Sequence, residues 1–158
     1  MDRAQRTAFV EAYVAGPAAL RASLDGITEA ELDARPSDGG WTAREVVHHT
    51  ADSEMTSAVR LRRLIAEENP TIVGYDGDIF AERLHYADRP IEPALEAIAG
   101  ARSTTAQILD RLTEAEWART GTHTESGPYG VERWLEVYAL HCDEHADQIR
   151  RAREEASA

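Results

Sequence analysis

An all-α four-helix bundle is the fold class that this sequence predicts. Three observations point to it. The 158 residues include only 10 Gly and 6 Pro and are rich in Ala, Leu, Glu and Arg, which are good helix formers. Four long stretches carry apolar residues at helical spacing. A unit of long helix, Thr-Glu-Ala-Glu turn, loop and histidine-bearing long helix occurs twice. Two helical hairpins of this kind make a bundle with a site between facing helices. The repeat fits a pseudo-two-fold symmetry better than two independent uses of a good helix cap. The length suits one domain, residues 1–158, with a single core.

The first helix spans about residues 3–25, with Phe9, Tyr13, Leu20 and Leu24 as core candidates. Gly16-Pro17 interrupts it, and an interior proline predicts a bend or restart. Thr28 and Glu31 have capping-box spacing and open a short helical turn. Thr42 and Glu45 repeat that pattern at the start of a helix running to about Glu68, with Val46, Val47, Ala51, Ala58, Leu61, Leu64 and Ile65 as its apolar stripe. Asn69-Pro70 stops it. Residues 71–89 are less regular: Tyr75-Asp76-Gly77-Asp78 reads as a turn, and residues 79–84 as a short helix. Glu92-Pro93 starts the third long helix, with proline near its first position. Thr113 and Glu116 cap another short turn. A polar loop, Gly121–Gly130, leads into the fourth long helix, about Val131–Arg153, and the last five residues are expected to fray.

Composition narrows the function. The formal net charge is −12, which disfavours nucleic acid and anionic membrane surfaces as partners. No apolar run approaches the 18 residues of a membrane span, and no apolar signal-peptide core follows the N-terminus. The single cysteine, Cys142, excludes an internal disulfide and fits a cytoplasmic location.

The chemistry concentrates in Tyr138-Ala-Leu-His141-Cys-Asp-Glu-His145. Two histidines four residues apart stack on one helix face, about 5–6 Å apart, a spacing that suits one metal ion. Trp134, Tyr138 and Ile149 share that face, so the pair looks toward a core and needs partners. Such pairs also occur by chance as solvated or hydrogen-bonded side chains. The second cluster, His48-His49, favours a metal: two histidines on one helix and one on a neighbour make a three-nitrogen site with open positions, the catalytic style of coordination. Periodicity does not choose between His48 and His49, because the apolar stripe lies between them.

The segments Gly39-Gly-Trp41-Thr-Ala-Arg-Glu-Val-Val-His48-His49-Thr50-Ala51-Asp52, Glu67-Glu-Asn-Pro70-Thr-Ile, His123-Thr-Glu-Ser-Gly127 and Tyr138-Ala-Leu-His141-Cys-Asp-Glu-His145, in this order, resemble the DinB superfamily. The closest branch is the YfiT-like metal-dependent hydrolases, which includes bacillithiol transferase. The resemblance covers nearly the whole chain. It implies a four-helix bundle and one divalent metal ion, zinc or nickel, on His49, His141 and His145. Its choice of His49 rests on the ligand preceding an apolar-Ala-Asp run; here Thr50 replaces the usual leucine. His48 is then expected at the surface, or behind the ligands. The implied partners are a small thiol and a small electrophile, and the implied chemistry is transfer of the thiol to that electrophile or its hydrolysis, with thiol transfer the better supported within the branch. A homodimer is open. A non-catalytic metal-binding or dimerisation module is the alternative reading.

Around the cluster, Asp52 is a candidate to accept the second N–H of His49, and Tyr138 to point its hydroxyl into the pocket. Glu54 and Glu144 have weaker claims as acid–base groups. Trp41 and Trp134 read as packing residues, Cys142 as a small core residue and His85 as exposed. His123 and Glu125 are expected on a loop near the bundle mouth, and Tyr75-Asp76 at the edge of a substrate pocket. Acid should release the metal as pH falls from neutral toward about 5, because imidazole ligates only when neutral.

Overall fold

The computed structural model describes residues 1–156 and is mostly helical, a four-helix bundle with a small sheet at one end. Its elements are α1 (Arg3–Ser23), α2 (Glu29–Leu32), α3 (Ala43–Ala66), β1 (Thr71–Ile72), α4 (Gly77–Arg83), a 3-10 turn (Tyr86–Asp88), α5 (Glu92–Leu109), α6 (Glu114–Trp117), β2 (Thr120–His123), β3 (Gly127–Gly130), α7 (Val131–Tyr138) and α8 (His141–Ala156). Around the bundle, α1 and α3 each pack against both α5 and α8. The consecutive helices α3 and α5 are therefore neighbours, whereas α1 lies diagonally opposite α3, and α5 opposite α8.

The expected caps are present. Thr28, Thr42 and Thr113 each accept from the backbone N–H three residues on, and Glu31, Glu45 and Glu116 reach back to the cap N–H. The reciprocal bonds satisfy two donors that a helix start otherwise leaves bare. Among the described residues no helix is long and apolar enough to cross a membrane.

Four segments differ from the sequence expectation. First, α1 continues through Pro17. Second, Gly121–Gly130 is not an open loop: β2 pairs antiparallel with β3 and parallel with β1. The backbone at Gly121 lies so close to Pro70 that a Cβ would stand 2.5 Å from the Pro70 carbonyl oxygen, and Gly127 takes φ +76°. Third, the last helix is divided at Ala139-Leu140 into α7 and α8. Fourth, Glu154–Ala156 belong to α8, whereas Ser157 and Ala158 lie outside the described residues.

The apolar core is in two parts. One contains Leu20, Val47, Ala51, Leu95, Ile98, Cys142 and Ile149; the other contains Tyr13, Leu61, Leu64, Leu109, Trp134 and Tyr138. Between them lies a polar layer, Glu54 from α3 and Arg102 from α5, both fully buried and 2.8 Å apart. Arg102 also donates to the carbonyl oxygens of Tyr13 and Tyr138. Gly16-Pro17 shapes this niche. A Cβ at Gly16 would stand 2.5 Å from Arg102 Nη1. Pro17 has no N–H to give the Tyr13 carbonyl four residues back, and Arg102 supplies that hydrogen bond instead.

Candidate metal centre

His49 comes from α3 and His141 and His145 from α8, and one ring nitrogen of each lies within 4.8 Å of those of the other two. All three are half-buried. The His141 and His145 Nε2 atoms are 3.2 Å apart. His141 Nδ1 lies 2.9 Å from Glu54 Oε1, and His145 Nδ1 lies 2.9 Å from Gln148 Oε1. Both oxygens accept, so both Nδ1 atoms carry hydrogen and both Nε2 atoms present lone pairs. Two lone pairs at that distance repel unless something positive sits beside them. His49 Nδ1 is buried without a hydrogen-bond partner. Three imidazole nitrogens brought together, two of them with the outer N–H fixed by oxygen, fit a divalent metal ion.

Electrostatics favour the ligand form. Burial, then the neighbouring His145 and His141, lowers the His49 pKa to about 3. Burial and His141 lower that of His145 to about 4, against weaker opposing effects of Gln148 and Glu54. Both shifts move protonation to lower pH, so these two rings remain neutral well below 6.5. In the metal-free protein, an NMR titration of the ring protons is expected to find His49 and His145 still neutral at pH 5.5. A midpoint near 6.5 for either ring overturns that expectation. Burial would raise the Glu54 carboxyl, but His141 and Arg102 outweigh it and hold the group below the ordinary carboxylate range.

Several sequence expectations need correction. His48 is not at the surface: it is 1% exposed, donates from Nε2 to the Arg89 carbonyl oxygen at 3.1 Å and packs on Tyr86. One residue's rotation around α3 turns it toward the 3-10 turn and away from the cluster. Asp52 does not take the His49 N–H; it accepts from the Tyr86 hydroxyl at 2.5 Å. The Tyr138 hydroxyl accepts from Arg60 and lies beside Ser53, and its ring stands edge-on to His141 at 5.3 Å. His123 is buried in the sheet, where its Nδ1 accepts from the Glu125 and Ser126 N–H groups and holds the β2–β3 turn.

Trp41, Trp134, Cys142 and His85 fall where the sequence puts them. Trp41 lies on His49, ring centroids 4.5 Å apart, and its indole N–H donates to Asp78. Trp134 is fully buried and donates to the Ser57 carbonyl oxygen. Cys142 is in the core, where burial raises its thiol pKa well above the ordinary value. Glu144 and His85 are exposed. Asp76 caps α4, while Tyr75 stacks on Phe80. Ser53, four residues after His49 on α3, has its hydroxyl 3.5 Å from His141 Nε2.

The residue that sequence reasoning underrated is Glu54. Its position was a usable signal. Val47, Ala51, Glu54, Ala58 and Leu61 are spaced 4, 3, 4 and 3, so Glu54 stands inside the apolar stripe of α3. Leu95, Ile98, Arg102, Thr105 and Leu109 place Arg102 likewise on α5. Two opposite charges, one in each buried stripe, predict a buried pair.

Comparisons with known proteins agree with this geometry. The family model of the DinB superfamily matches residues 12–149. A protein of Oceanobacillus iheyensis, named as a candidate metal-dependent hydrolase, is 35% identical over 133 residues, covering 84% of this chain and 77% of its own. YfiT of Bacillus subtilis, named in the same way, is 28% identical over 150 residues, covering 94% and 84%. The solved structure of YfiT, described as "a probable metal-dependent hydrolase with an unusual four-helix bundle topology", superposes with a TM-score of 0.92 at 26% identity, covering 99% of this chain and 90% of that one. With a family model spanning most of its length and a bundle of the same topology, the chain belongs to the DinB superfamily.

Proposed function

We propose that the chain is a metal-dependent enzyme that holds one divalent ion, zinc or nickel, on His49, His141 and His145. Its reaction is transfer of a low-molecular-weight thiol, of the bacillithiol kind, to a small electrophile; hydrolysis of such a substrate is the sister reaction of the same site. The supporting observation is the convergence of three imidazole nitrogens within 4.8 Å, with the outer N–H groups of His141 and His145 already committed to oxygen acceptors. A divalent ion held only by neutral imidazoles would keep its full positive charge and would favour ionisation of a thiol or water near neutral pH. The names of the relatives favour hydrolysis, and the open donor set serves a thiol equally well.

The chain's own groups orient and exclude. Glu54 and Gln148 fix the tautomers of His141 and His145. The Trp41 ring covers His49 and is itself held by Asp78, which shields that side from water. Ser53 Oγ is placed to hydrogen-bond a reacting group beside His141. In transfer, the thiol gives its proton to solvent, a sulfur–carbon bond forms as the carbon–leaving-group bond breaks, and the leaving group departs with that bond's electron pair. Cys142 is buried and its thiol is disfavoured as thiolate, so the nucleophile comes from ligand or solvent.

An aromatic halide assayed with several small thiols, with and without chelator, tests this reading. Activity is expected to vanish with the metal and to survive Cys142→Ser. Turnover by the fully metal-free protein would refute the mechanism, and loss in Cys142→Ser alone would point to a covalent protein nucleophile.

A further inference from the structure

We propose that Arg60, framed by Tyr75 and Tyr138, anchors a carboxylate carried by the small molecule that reacts at the three-histidine cluster; this rests on the cluster being the reacting centre. Arg60 lies on α3 two turns beyond Ser53, on the same face. Its Nη1 donates to the Tyr138 hydroxyl at 3.1 Å and its Nη2 to the Val73 carbonyl oxygen at 2.6 Å. The guanidinium carbon is 5.8 Å from the Tyr75 ring centroid. Arg60 Nε is buried with no partner.

All of these contacts are neutral. Among the described residues no carboxylate pairs with Arg60, although the chain carries 29 acidic residues against 17 basic ones. Arg6, Arg44, Arg102 and Arg119, which are also wholly or partly buried, each pair with a glutamate or aspartate. Arg62 also lacks a carboxylate, but it bonds Thr104 and Thr105 on the α5 side. A half-buried charge without a counter-ion is costly, and a guanidinium matches a carboxylate through two parallel N–H bonds. Each terminal nitrogen of Arg60 gives one hydrogen to a partner named above and has a second to give.

The position relative to the cluster completes the inference. The Tyr138 ring that receives Arg60 is the one edge-on to His141. Ser53, 3.5 Å from His141 Nε2, lies beside the hydroxyls of both Tyr75 and Tyr138. Arg60 is thus one tyrosine side chain away from the cluster. The carboxylate belongs to either the thiol or the acceptor, and the two sources are separable.

The test compares wild type with Arg60→Gln and Arg60→Lys, each checked for helical content. Succinate binding to metal-free protein is measured by calorimetry. KM of the metal-loaded protein is measured for mercaptosuccinate against 2-mercaptoethanol, and for 4-chloro-3-nitrobenzoate against its uncharged amide. Arg60→Gln is expected to weaken succinate binding and to raise KM for the carboxylated member of one pair, each about tenfold, with the uncharged member unchanged. Arg60→Lys should fall between. A response confined to mercaptosuccinate assigns the carboxylate to the thiol, and one confined to the chloronitrobenzoate assigns it to the acceptor. If the protein takes up no metal, the proposed chemistry fails, and the succinate comparison still decides the anchor. Equal binding of every carboxylate by wild type and folded Arg60→Gln would overturn it.

Discussion

Replacing His141 and His145 together by alanine is expected to lower the metal content from about one ion per chain to less than about a tenth. The double variant keeps only His49, and a single imidazole does not retain a divalent ion through purification. Both removed rings present Nε2 lone pairs toward the same point, 3.2 Å apart. Both are half-buried, so the bundle should remain folded. Elemental analysis of protein without a His tag, purified without added metal, measures the effect. His48→Ala is the matched control: this ring is buried against Tyr86 and Arg89 and lies outside the cluster, so the variant should keep its metal. Unchanged metal in the double variant would refute the ligand assignment, and loss in His48→Ala would move one ligand by a residue.

That contrast marks where the sequence was readable. The four long helices and three capping boxes follow from short-range chemistry, where a threonine and a glutamate three residues apart satisfy each other. The His141–His145 pair is local in the same sense. Choosing His49 over His48 needed family resemblance, because both border the apolar stripe and only tertiary packing, on Trp41 for one and on Tyr86 for the other, separates them. The β2–β3 hairpin was hidden by its composition of Gly, Thr, Ser and Pro, which reads as loop. It is held instead by pairing with β1 some 50 residues away and by the His123 side chain. Spacing alone directs Asp52 to His49, but in the fold its carboxylate accepts from the Tyr86 hydroxyl.

The Gly16-Pro17 interruption shows how a local irregularity serves a distant contact. Read alone it predicts a bend. In the fold it leaves space beside Arg102 and leaves the Tyr13 carbonyl oxygen to that guanidinium. Arg102 then bonds α1, α3 and the end of α7 at once, and the Glu54 oxygen it grips also receives the His141 N–H. The polar layer that divides the core is therefore continuous with the three-histidine cluster. Buried ion pairs are a weak source of net stability, because desolvation offsets much of the attraction, yet removing one partner leaves the other charge stranded.

Glu54→Gln is accordingly expected to destabilise the protein by about 3–5 kcal/mol, since Arg102 stays charged and fully buried without its counter-ion. Metal affinity should fall about 10- to 100-fold, because the carboxylate that fixes the His141 tautomer is gone. The two effects have different origins, and a second substitution separates them. Adding Arg102→Met removes the stranded charge, so the double variant should recover much of the lost stability. It should not recover metal affinity, because His141 still lacks its carboxylate. Denaturant unfolding of the metal-free proteins reads the first effect, and metal titration of the folded variants reads the second. If Glu54→Gln binds metal as tightly as wild type, Glu54 belongs to the bundle alone. If Arg102→Met restores affinity along with stability, the His141 contact is a by-product of packing and not a support for the site.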